Sequence, residues 1–476
     1  MGLMTVDQYN KSLQDGRVVY MCGEKVEDVT KHPMLKRCID TASIDYKMAE
    51  MPQYKDLATV TDPATGEVMS RFYYQPKNSE DLLKRHELQV ESTRLNYGFC
   101  TPFTHDIASD AMNAVNITAN IIGNKDYIER ADNYRKYLQK TDLAVAAAVT
   151  DCKGNRSLSP SSPEQAHPDF YVHVIDKDTK GIIVRGAKAS ITATPYFHEM
   201  FVISGRNMAK EDADYALAFA IPVNTEGLVH IGHPIDAGTS PLDFPAHMAG
   251  STDAIVVFND VFVPWERVFM CGEWQHAMTL AYHFSYFHRH TAVSYKIPMS
   301  ELILGAARAM AEYNGIKNAP HIKDRILELT MYVDTLKSLA RAACMDYTMH
   351  GGVALPNPAI TNIAKYTFAN NYHNCVKAIQ DIAGGLLVTG PTYKDFTNSD
   401  IGKLVDKYCG GVAGIPTENR LRMLQLIRRI VVPEVEVLAI HGEGSLQAEK
   451  MIILAEKEAE IKKYKKWAEE AAGIEK

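Results

Sequence analysis

The feature that most constrains the fold of this chain is a change of hydrophobic period that occurs twice along it. Up to about residue 150 the apolar positions recur at helical spacing, from there to about residue 270 they alternate with polar positions, and then the helical spacing returns. A Pro- and Ser-rich stretch at residues 157–169, SLSPSSPEQAHPD, marks the first change. The order helical, β, helical predicts three consecutive domains.

The first segment is predicted to be helical. Asn78 is a good helix cap, and Asp81 completes a capping pair before a run of apolar positions. Two more predicted helices follow, DAMNAVNITANIIG and ADNYRKYLQKTDLAVAAAV, the second of which ends at Val149. Together these helices form a predicted N-terminal domain over residues 1–150.

The second and third segments are predicted to be a β domain and a helical domain. Residues 151–272 contain short β-branched runs such as GIIVRGAKA and DAIVVFNDVFVPW, bounded by Gly, Pro or Asp, which predict antiparallel strands. Residues 273–476 return to helical spacing, with Leu329 and Leu336 on one stripe and Ser445 as the cap of a last helix. The predicted fold class is α+β.

Composition and charge exclude several classes of protein. The chain has 51 basic and 58 acidic residues and a formal charge of −7, so it lacks the excess of positive charge that binding to a nucleic acid backbone requires. Its longest apolar run, residues 143–149, is too short to cross a bilayer. The eight cysteines are never closer than 16 positions apart, which favours reduced thiols in a cytoplasmic protein. We therefore expect a cytoplasmic protein without nucleic acid or membrane partners.

The common fingerprints of nucleotide and metal sites are missing. There is no G-x-G-x-x-G after a strand and no G-x-x-x-x-G-K-[ST]. His283, His288 and His290 lie in a predicted helix, where the rings of the last two point apart, so no metal site is predicted. The sequence HGEGS at residues 441–445 is interpreted as loop geometry.

Two short segments are candidates for binding a polar cofactor. The first lies at the end of a predicted helix, where two glycines let a pyrophosphate approach or simply end the helix: Asp381, Gly384 and Gly385. The second follows a predicted strand and offers an ammonium group and two hydroxyls to the edge of a polar ring, or is simply a Thr-rich turn: Lys188, Thr192 and Thr194. The residues alone leave both alternatives open.

Several longer stretches are similar to one known family. They are MTVDQYNKSLQDGRVVYMCGEKVEDVTKHP, GIIVRGAKA, DAIVVFNDVFVPWERVF, FHRH and DIAGGLLVTGP, which extend over nearly the whole chain. The chain resembles the flavoprotein family that joins 4-hydroxyphenylacetate 3-monooxygenases with 4-hydroxybutyryl-CoA dehydratases, both relatives of the acyl-CoA dehydrogenases. The resemblance implies an acyl-CoA dehydrogenase-like fold with a helical N-terminal domain, a middle antiparallel β-barrel and a C-terminal four-helix bundle. It also implies a homotetramer with FAD between barrel and bundles.

The functional positions of the dehydratase branch are only partly kept. The dehydratases bind a [4Fe–4S] cluster through three cysteines and a histidine, and the corresponding residues here are Pro102, Asp106, His288 and Tyr295. Three of the four ligands are therefore absent, and no cluster is expected. The lysine that follows the last of these positions is kept as Lys296.

Other positions also depart from both branches. The dehydratase tyrosine becomes Ala292, one of its acidic residues is matched by Asp253, and another falls on Leu438. The monooxygenase branch handles its phenol with an arginine, a tyrosine and a histidine, and these positions hold Pro102, Asp106 and Ala147. The start of the chain and its C-terminal segment look more like the dehydratase branch.

The resemblance places carboxylates, imidazoles and one ammonium group on the walls of a flavin pocket: Tyr97, His105, Asp106, Asp253, His288 and Lys296. A buried carboxylate or histidine there suits removal of a proton alpha to a thioester carbonyl, with Asp106 or His288 as the acid/base group and Lys296 as an electrostatic partner. The first hypothesis is an FAD-dependent enzyme that acts on a CoA ester or similar acyl thioester. Its reaction is a double-bond isomerisation, an elimination or a related redox step without an iron–sulfur cluster.

Two alternatives stay open. One is a two-component monooxygenase that takes FADH2 from a separate reductase and hydroxylates an aromatic or other small substrate. The other is a non-catalytic flavin-binding paralogue that has lost its site. Retained charge in the pocket discriminates against the paralogue, because ionisable groups are costly to bury without a use.

Overall fold

The computed structural model of the chain describes residues 3–63, 65–98, 101–234 and 250–474. Within these residues no helix is both long and apolar enough to cross a membrane. The prediction of a helical, then β, then helical order is confirmed for the long elements. The N-terminal part also contributes short strands that the sequence patterns did not predict.

The N-terminal part is mainly helical. Its helices are α1 (Val6–Ser12), α2 (Pro33–Glu50), α3 (Lys55–Ala58), α4 (Ser79–Leu95), α5 (Asp106–Ile122) and α6 (Lys125–Thr141). Its strands are β1 (Val19–Met21), β2 (Glu24–Val26), β3 (Thr59–Thr61), β4 (Val68–Ser70) and β5 (Val145–Ala148). The predicted cap of α4 is confirmed, since Asn78 accepts a hydrogen bond from the Asp81 N–H at 3.0 Å.

The middle part is built from two sheets. Its strands are β6 (His173–Lys177), β7 (Gly181–Thr192), β8 (Glu199–Ile203), β9 (Leu217–Pro222), β10 (Leu228–Pro234), β11 (Thr252–Pro264) and β12 (Val268–Cys271). One sheet has the order β2-β1-β10-β11-β7-β6, and the other β12-β9-β8-β5. Apolar side chains of both sheets, among them Val184, Phe201, Phe219 and Val256, share one buried core.

The prediction of an antiparallel β-barrel over residues 151–272 is confirmed only for its antiparallel pairing, which all strand pairs within that range show. In the part of the chain that the structure describes, the strands form two sheets of six and four strands, and no closed barrel is seen. Strand β1 pairs in parallel with β10, and β5 pairs in parallel with β8. Both parallel strands come from the N-terminal part. Alternation along a sequence shows which face of a strand is buried, but not which strand lies beside it.

The predicted helix over residues 131–149 is also too long. Helix α6 ends at Thr141, and Asp142 takes a left-handed conformation with a φ of 55°. The apolar run that follows is strand β5. This run was predicted as helix because a short buried strand and a buried helical turn have similar compositions. Its parallel pairing with β8, a long-range contact, decides between them.

The C-terminal part is helical except for one small hairpin, β13 (Thr348–His350) and β14 (Val353–Leu355). Its helices are α7 (Ala277–Tyr313), α8 (Pro320–Met345), α9 (Pro358–Ala383), α10 (Leu386–Thr389), α11 (Tyr393–Thr397), α12 (Gly402–Cys409), α13 (Thr417–Ile430), α14 (Pro433–His441) and α15 (Leu446–Ala471). Helices α7, α8 and α9 pack on one another, α13 packs on α7, and α15 packs on α9. The four-helix count of the bundle stays a prediction.

Helix α7 is the element on which the parts of the molecule meet. It spans 37 residues and packs not only on α8 and α9 but also on α4 and α5 of the N-terminal part. Its middle turns are therefore enclosed by helices from both ends of the chain. Polar side chains placed there by the sequence have to find partners within the protein.

Candidate active site

A buried ion pair on α7 is the centre of the candidate site. Lys296 forms an ion pair with the carboxylate of Glu443, in the loop between α14 and α15, and the Tyr295 hydroxyl donates a hydrogen bond to the same carboxylate. Only 1% of the Lys296 side chain and 5% of the Glu443 side chain are exposed. Arg289 of α7 donates from Nε to the carbonyl oxygen of Glu443 at 3.0 Å. The loop is thereby fixed to α7 through its backbone as well as its carboxylate.

A second lysine lies behind this pair. The Nζ of Lys365, on α9, is 3.9 Å from the Glu443 carboxylate and 3.4 Å from the carboxylate of Glu449, on α15. It also donates to the carbonyl oxygen of Ile440 at 3.1 Å. Two ammonium groups and two carboxylates therefore alternate in one buried group. Because opposite charges are adjacent, each compensates part of the desolvation penalty of the next.

The pKa values of Lys296 and Glu443 are shifted from their usual values. Burial lowers the pKa of Lys296 to about 8, and the nearby charge of Lys365 acts in the same direction while Glu443 opposes it. Burial alone would raise the pKa of Glu443, but the charges of Lys296 and Lys365 hold it at about 2. At neutral pH the pair is ionised, and Lys296 is the member closest to losing its proton.

Asp106, the first residue of α5, is a buried carboxylate with an unused oxygen. It is only 1% exposed. One oxygen accepts the N–H of Ile107 at 2.7 Å, whereas Oδ2 is buried without a hydrogen-bond partner among the described residues. Burial raises the pKa of Asp106 to about 7, and the charges of Asp45 and Asp110 act in the same direction. Such a carboxylate can accept or donate a proton near neutral pH.

His288 of α7 is close to both Asp106 and Glu443. Its charge acts on the carboxylates of both residues. Its Nδ1 is 3.2 Å from an Asp110 carboxylate oxygen, and the ring of Phe284 stacks on it with centroids 4.8 Å apart. The structure therefore brings three of the predicted catalytic residues together, namely Asp106, His288 and Lys296.

His105 is held in a different environment. Its Nε2 is 3.2 Å from Asp142, its Nδ1 is 3.8 Å from Asp45, and the ring of Tyr46 packs against it with centroids 5.0 Å apart. Burial alone would lower its pKa, but the two carboxylates raise it to about 10. With 2% of its side chain exposed, the imidazolium joins α2, the start of α5 and the end of α6. This enclosure fits a structural ion pair better than contact with a ligand.

The sheet side of the site contains Asp253. This residue of β11 is paired with Thr192 of β7, and the two side chains are hydrogen-bonded. Burial raises the pKa of Asp253, and the charge of Glu443 does so as well, which places Asp253 on the same site. The hydroxyls of Thr194 and Ser251, just beyond these strand positions, are buried without hydrogen-bond partners among the described residues. Unused buried hydroxyls of this kind fit the polar edge of a cofactor ring.

Lys188 is engaged within the protein. It forms an ion pair with Asp151 at 2.8 Å and donates to the carbonyl oxygens of Val149 and Ile203, each at 3.0 Å. These three contacts use the three N–H donors of an ammonium group. Its side chain therefore ties β7 to the neighbouring sheet and has no donor left for a cofactor.

The remaining predicted residues lie at the surface of the chain. Tyr97, after α4, is 49% exposed. Asp381 forms a surface ion pair with Arg325 at 3.6 Å. Gly384 ends α9 with a φ of 72°, and a Cβ placed on it or on Gly385 would meet no atom within 4 Å. The pair both ends the helix and leaves open space for another molecule.

Few of the described side chains near the candidate site could bind a metal ion. In residues 3–63, 65–98, 101–234 and 250–474, no three His, Cys, Asp or Glu side chains are grouped so as to hold a metal ion. Of the positions that correspond to the dehydratase cluster, Pro102 has no donor and Tyr295 is engaged with the Lys296 ion pair. Cys100, the nearest thiol in the sequence, lies outside the described residues.

Sequence analysis missed Glu443. The interpretation of residues 441–445 as a loop describes the backbone but overlooks its carboxylate. The resemblance put a second dehydratase acid on Leu438, whereas the carboxylate beside Lys296 comes from Glu443, five positions later. A signal was present, because a lysine in a buried helix requires a counter-charge and Glu443 lies between two glycines just before the helix cap Ser445.

Comparison with known proteins places this chain in a family. The N-terminal domain of 4-hydroxyphenylacetate 3-hydroxylases matches residues 5–270, and the C-terminal domain matches residues 277–473. The chain belongs to the 4-hydroxyphenylacetate 3-hydroxylase family. It is 32% identical to the 4-hydroxybutyryl-CoA dehydratase/vinylacetyl-CoA-Δ-isomerase of Clostridium aminobutyricum, over 99% of this chain and 100% of that protein. The resemblance inferred from the sequence is confirmed.

Solved structures of the family agree with this assignment. An oxygen-tolerant archaeal 4-hydroxybutyryl-CoA dehydratase from N. maritimus superimposes with a TM-score of 0.91 at 31% identity, covering 100% of this chain and 96% of the other. The oxygenase component of 4-hydroxyphenylacetate 3-monooxygenase complexed with FAD gives a TM-score of 0.89 at 26% identity, with 99% of each chain covered. A glutaryl-coenzyme A dehydrogenase gives a TM-score of 0.51 at 13% identity, covering 98% of this chain and 90% of the other, which confirms the acyl-CoA dehydrogenase-like fold.

Proposed function

We propose that this protein is an FAD-dependent enzyme that moves a double bond within the acyl group of a CoA-type thioester, without an iron–sulfur cluster. The observation that carries the proposal is the buried carboxylate of Asp106, with one oxygen unused, next to His288 and the ion pair of Lys296 with Glu443. A base with a pKa near neutrality and a fixed positive charge are the two requirements for removing a proton alpha to a carbonyl. The 32% sequence identity to a 4-hydroxybutyryl-CoA dehydratase/vinylacetyl-CoA-Δ-isomerase supports a CoA thioester as the substrate.

FAD fits the residues at the edge of the site. Thr194 and Ser251, near the end of β7 and the start of β11, offer hydroxyls without partners among the described residues, and the FAD-bound relative supports the same cofactor here. Bound FAD supplies an electron-accepting ring against which an acyl thioester can be activated. The segment from Asp381 to Gly385 is on the surface of its own chain, so it would serve the cofactor of a neighbouring subunit in a homotetramer.

The isomerisation can be followed atom by atom. For a 3-enoyl thioester, Oδ2 of Asp106 accepts a proton from C2, and the electron pair left behind spreads over the carbonyl oxygen and C4. A proton carried on Nε2 of His288 is then delivered to C4, which gives the conjugated 2-enoyl thioester, and transfer of the proton held by Asp106 to His288 restores both groups. The double bond has moved from C3–C4 to C2–C3, and the composition of the substrate is unchanged.

Lys296 would stabilise the negative charge that develops on the thioester oxygen. Its ammonium group is buried, and Glu443 holds it in place. A fixed charge in a site poor in water is more effective than the same charge in solution, because no solvent has to reorganise around it. The step needs no thiolate at the positions held by Pro102 and Tyr295.

A monooxygenase is the second candidate. The family match and the likeness to the FAD-bound oxygenase component support it. Against it stand the three positions at which that branch handles its phenol, which here are Pro102, Asp106 and Ala147. Ala147 lies within strand β5 and has no polar group to offer.

Anaerobic titration of the bound flavin distinguishes the candidates. We expect crotonyl-CoA to perturb the flavin spectrum at micromolar concentration, and a 3-enoyl-CoA to be converted to the 2-enoyl isomer without oxygen. Silence toward every ester, combined with phenol-dependent oxygen consumption when FADH2 is supplied, would establish the monooxygenase instead. A protein that holds FAD but responds to neither class would be the non-catalytic paralogue.

A further inference from the structure

A line of three side chains runs from helix α4 through α5 to the site. Arg85 of α4 forms an ion pair with Asp110 of α5 at 2.6 Å. The other oxygen of Asp110 lies 3.2 Å from Nδ1 of His288, on α7. Asp110 is completely buried, whereas 13% of the His288 side chain is exposed. The carboxylate is therefore more deeply enclosed than the imidazole it contacts.

The orientation of the Asp110 carboxylate is fixed by its hydrogen bonds. Its Oδ1 accepts hydrogen bonds from Arg85 at 2.6 Å and from the Thr291 hydroxyl at 3.2 Å, which leaves Oδ2 for His288. Arg85 itself is anchored on α5, since it donates to Ser109 Oγ at 2.6 Å and to the carbonyl oxygen of Asp106 at 3.2 Å. Each oxygen of the Asp110 carboxylate therefore has its own partners, and exchanging the two oxygens would break the contacts with Arg85, Thr291 and His288.

This arrangement determines which nitrogen of His288 carries the hydrogen. An ionised carboxylate only accepts hydrogen bonds, so the nitrogen that faces Asp110 must be N–H. In the neutral ring that leaves Nε2 with a lone pair. A carboxylate on Nδ1 also makes Nε2 more basic and more nucleophilic, as it does for histidines that bind metals or activate nucleophiles.

We propose that Asp110 is a positioning residue that fixes the ring orientation and the tautomer of His288, so that Nε2 exchanges the proton at the substrate. Arg85 holds the Asp110 carboxylate in place through their ion pair at 2.6 Å. The proposal deepens the proposed function, on which it rests for the substrate that Nε2 meets. The state of the His288 ring, however, can be measured without any substrate.

The test compares the holoprotein with its Asp110→Asn variant at one fixed pH. The rate at which diethyl pyrocarbonate modifies His288 is followed by mass spectrometry of the peptide. We expect modification to be about 10-fold slower in Asp110→Asn, because an amide that donates to Nδ1 favours the tautomer in which Nε2 carries the hydrogen. In turnover, kcat should fall roughly 10²- to 10⁴-fold with KM changed less than about threefold, and FAD should stay bound.

Two further variants keep the result interpretable. Asp110→Asn leaves Arg85 buried without a counter-charge, so the double variant Arg85→Gln/Asp110→Asn, which removes both charges, guards against a failure to fold. Asp142→Asn, which alters the enclosed carboxylate beside His105, is the matched control and should leave the modification of His288 unchanged.

Unchanged modification of His288 in both Asp110 variants would overturn the proposal. If instead modification slows as expected but the wild-type protein converts no ester, then Asp110 does position His288 and the proposed function is wrong. The two failures are therefore separated by whether the chemical modification or the turnover departs from expectation.

Discussion

Two histidine–aspartate pairs in this molecule have the same separation and different surroundings. His105 is 3.2 Å from Asp142, and His288 is 3.2 Å from Asp110. His105 has a second carboxylate, Asp45, on its other nitrogen and is 2% exposed. The carboxylate at His288 is already paired with an arginine, and the ring is 13% exposed.

The difference shows that the contact by itself does not define a catalytic pair. Two carboxylates around His105 stabilise the imidazolium, and its pKa of about 10 keeps it charged at physiological pH despite its burial. An ion that does not change its charge near neutrality cannot exchange protons in a reaction there. At His288 the single neighbouring carboxylate, Asp110, also forms an ion pair with Arg85.

The largest expected effect is the loss of turnover when the pair of His288 and Asp110 is changed. His288→Gln should lower kcat for the isomerisation of a 3-enoyl-CoA by roughly 10²- to 10⁴-fold, since it removes a general acid–base group while keeping a polar side chain of similar length. The melting temperature and FAD content should stay close to those of the wild type. Equal losses of turnover and of folded protein would mean that His288 is a structural residue like His105.

For the pair of His105 and Asp142 the expected effect is a loss of folding stability. His105→Gln leaves Asp45 and Asp142 buried without their cation, which should lower the free energy of unfolding by about 3–5 kcal/mol. The folded pKa of about 10 lies above the value of about 6.5 expected for an unfolded histidine, so the stabilisation is complete below pH 6.5 and is lost as the pH rises through 10.

Denaturant unfolding of the His105→Gln variant at several pH values tests this. The deficit relative to wild type should be largest near pH 6 and should shrink toward pH 10. A deficit that does not depend on pH would indicate a packing defect rather than the loss of an ion pair. Turnover per folded molecule should stay within about threefold of wild type.

The pH profile of the reaction sharpens the comparison further. Asp106 must be ionised to act as the base, so kcat/KM should rise with pH through about 7. Lys296 must be protonated to stabilise the thioester oxygen, so kcat/KM should fall as the pH rises through about 8. In the His105→Gln variant, both the rise and the fall of kcat/KM should occur at the same pH values as in the wild type. A profile that is flat from pH 6 to pH 9 would contradict both assignments.

The smallest expected effect is a gain of stability. The folded pKa of Asp106, about 7, is above its usual value of 3.8, so the charged form destabilises the fold progressively as the pH rises from 3.8 to 7 and fully above 7. Asp106→Asn should therefore melt several degrees higher than wild type at pH 8, and the gain should shrink toward pH 5. Scanning calorimetry at the two pH values checks this. A lower melting temperature at pH 8 would mean that the Asp106 carboxylate stabilises the fold.

The sequence predicted the fold better than it predicted the pairing within it. The helices that end in clear caps, such as α4 after Asn78 and α15 after Ser445, lie where local signals place them. Strand β5 was missed because its partner β8 lies about fifty residues away in the sequence, and nothing within the apolar run 145–148 identifies that partner.

The site shows the same division. Asp106, His288 and Lys296 could be predicted because the resemblance fixes their positions. Asp110 and Glu443 could not be predicted in this way, because their roles arise from contacts between segments far apart in the chain, 178 and 147 positions from His288 and Lys296. The resemblance also made His105 a candidate, but its two enclosing carboxylates favour a structural role.

The position of Glu443 after α7 and α9 in the sequence has a consequence for biosynthesis. As the ribosome extends the chain, α7 and α9 are complete while the counter-charge for Lys296 and Lys365 has not yet been made. Before Glu443 and Glu449 are synthesised, burial of either ammonium group would lack a counter-charge, so we expect the helices that carry them to pack only afterwards. Packing around Lys296 and Lys365 is thereby delayed until the segment between α14 and α15 and the start of α15 have been synthesised.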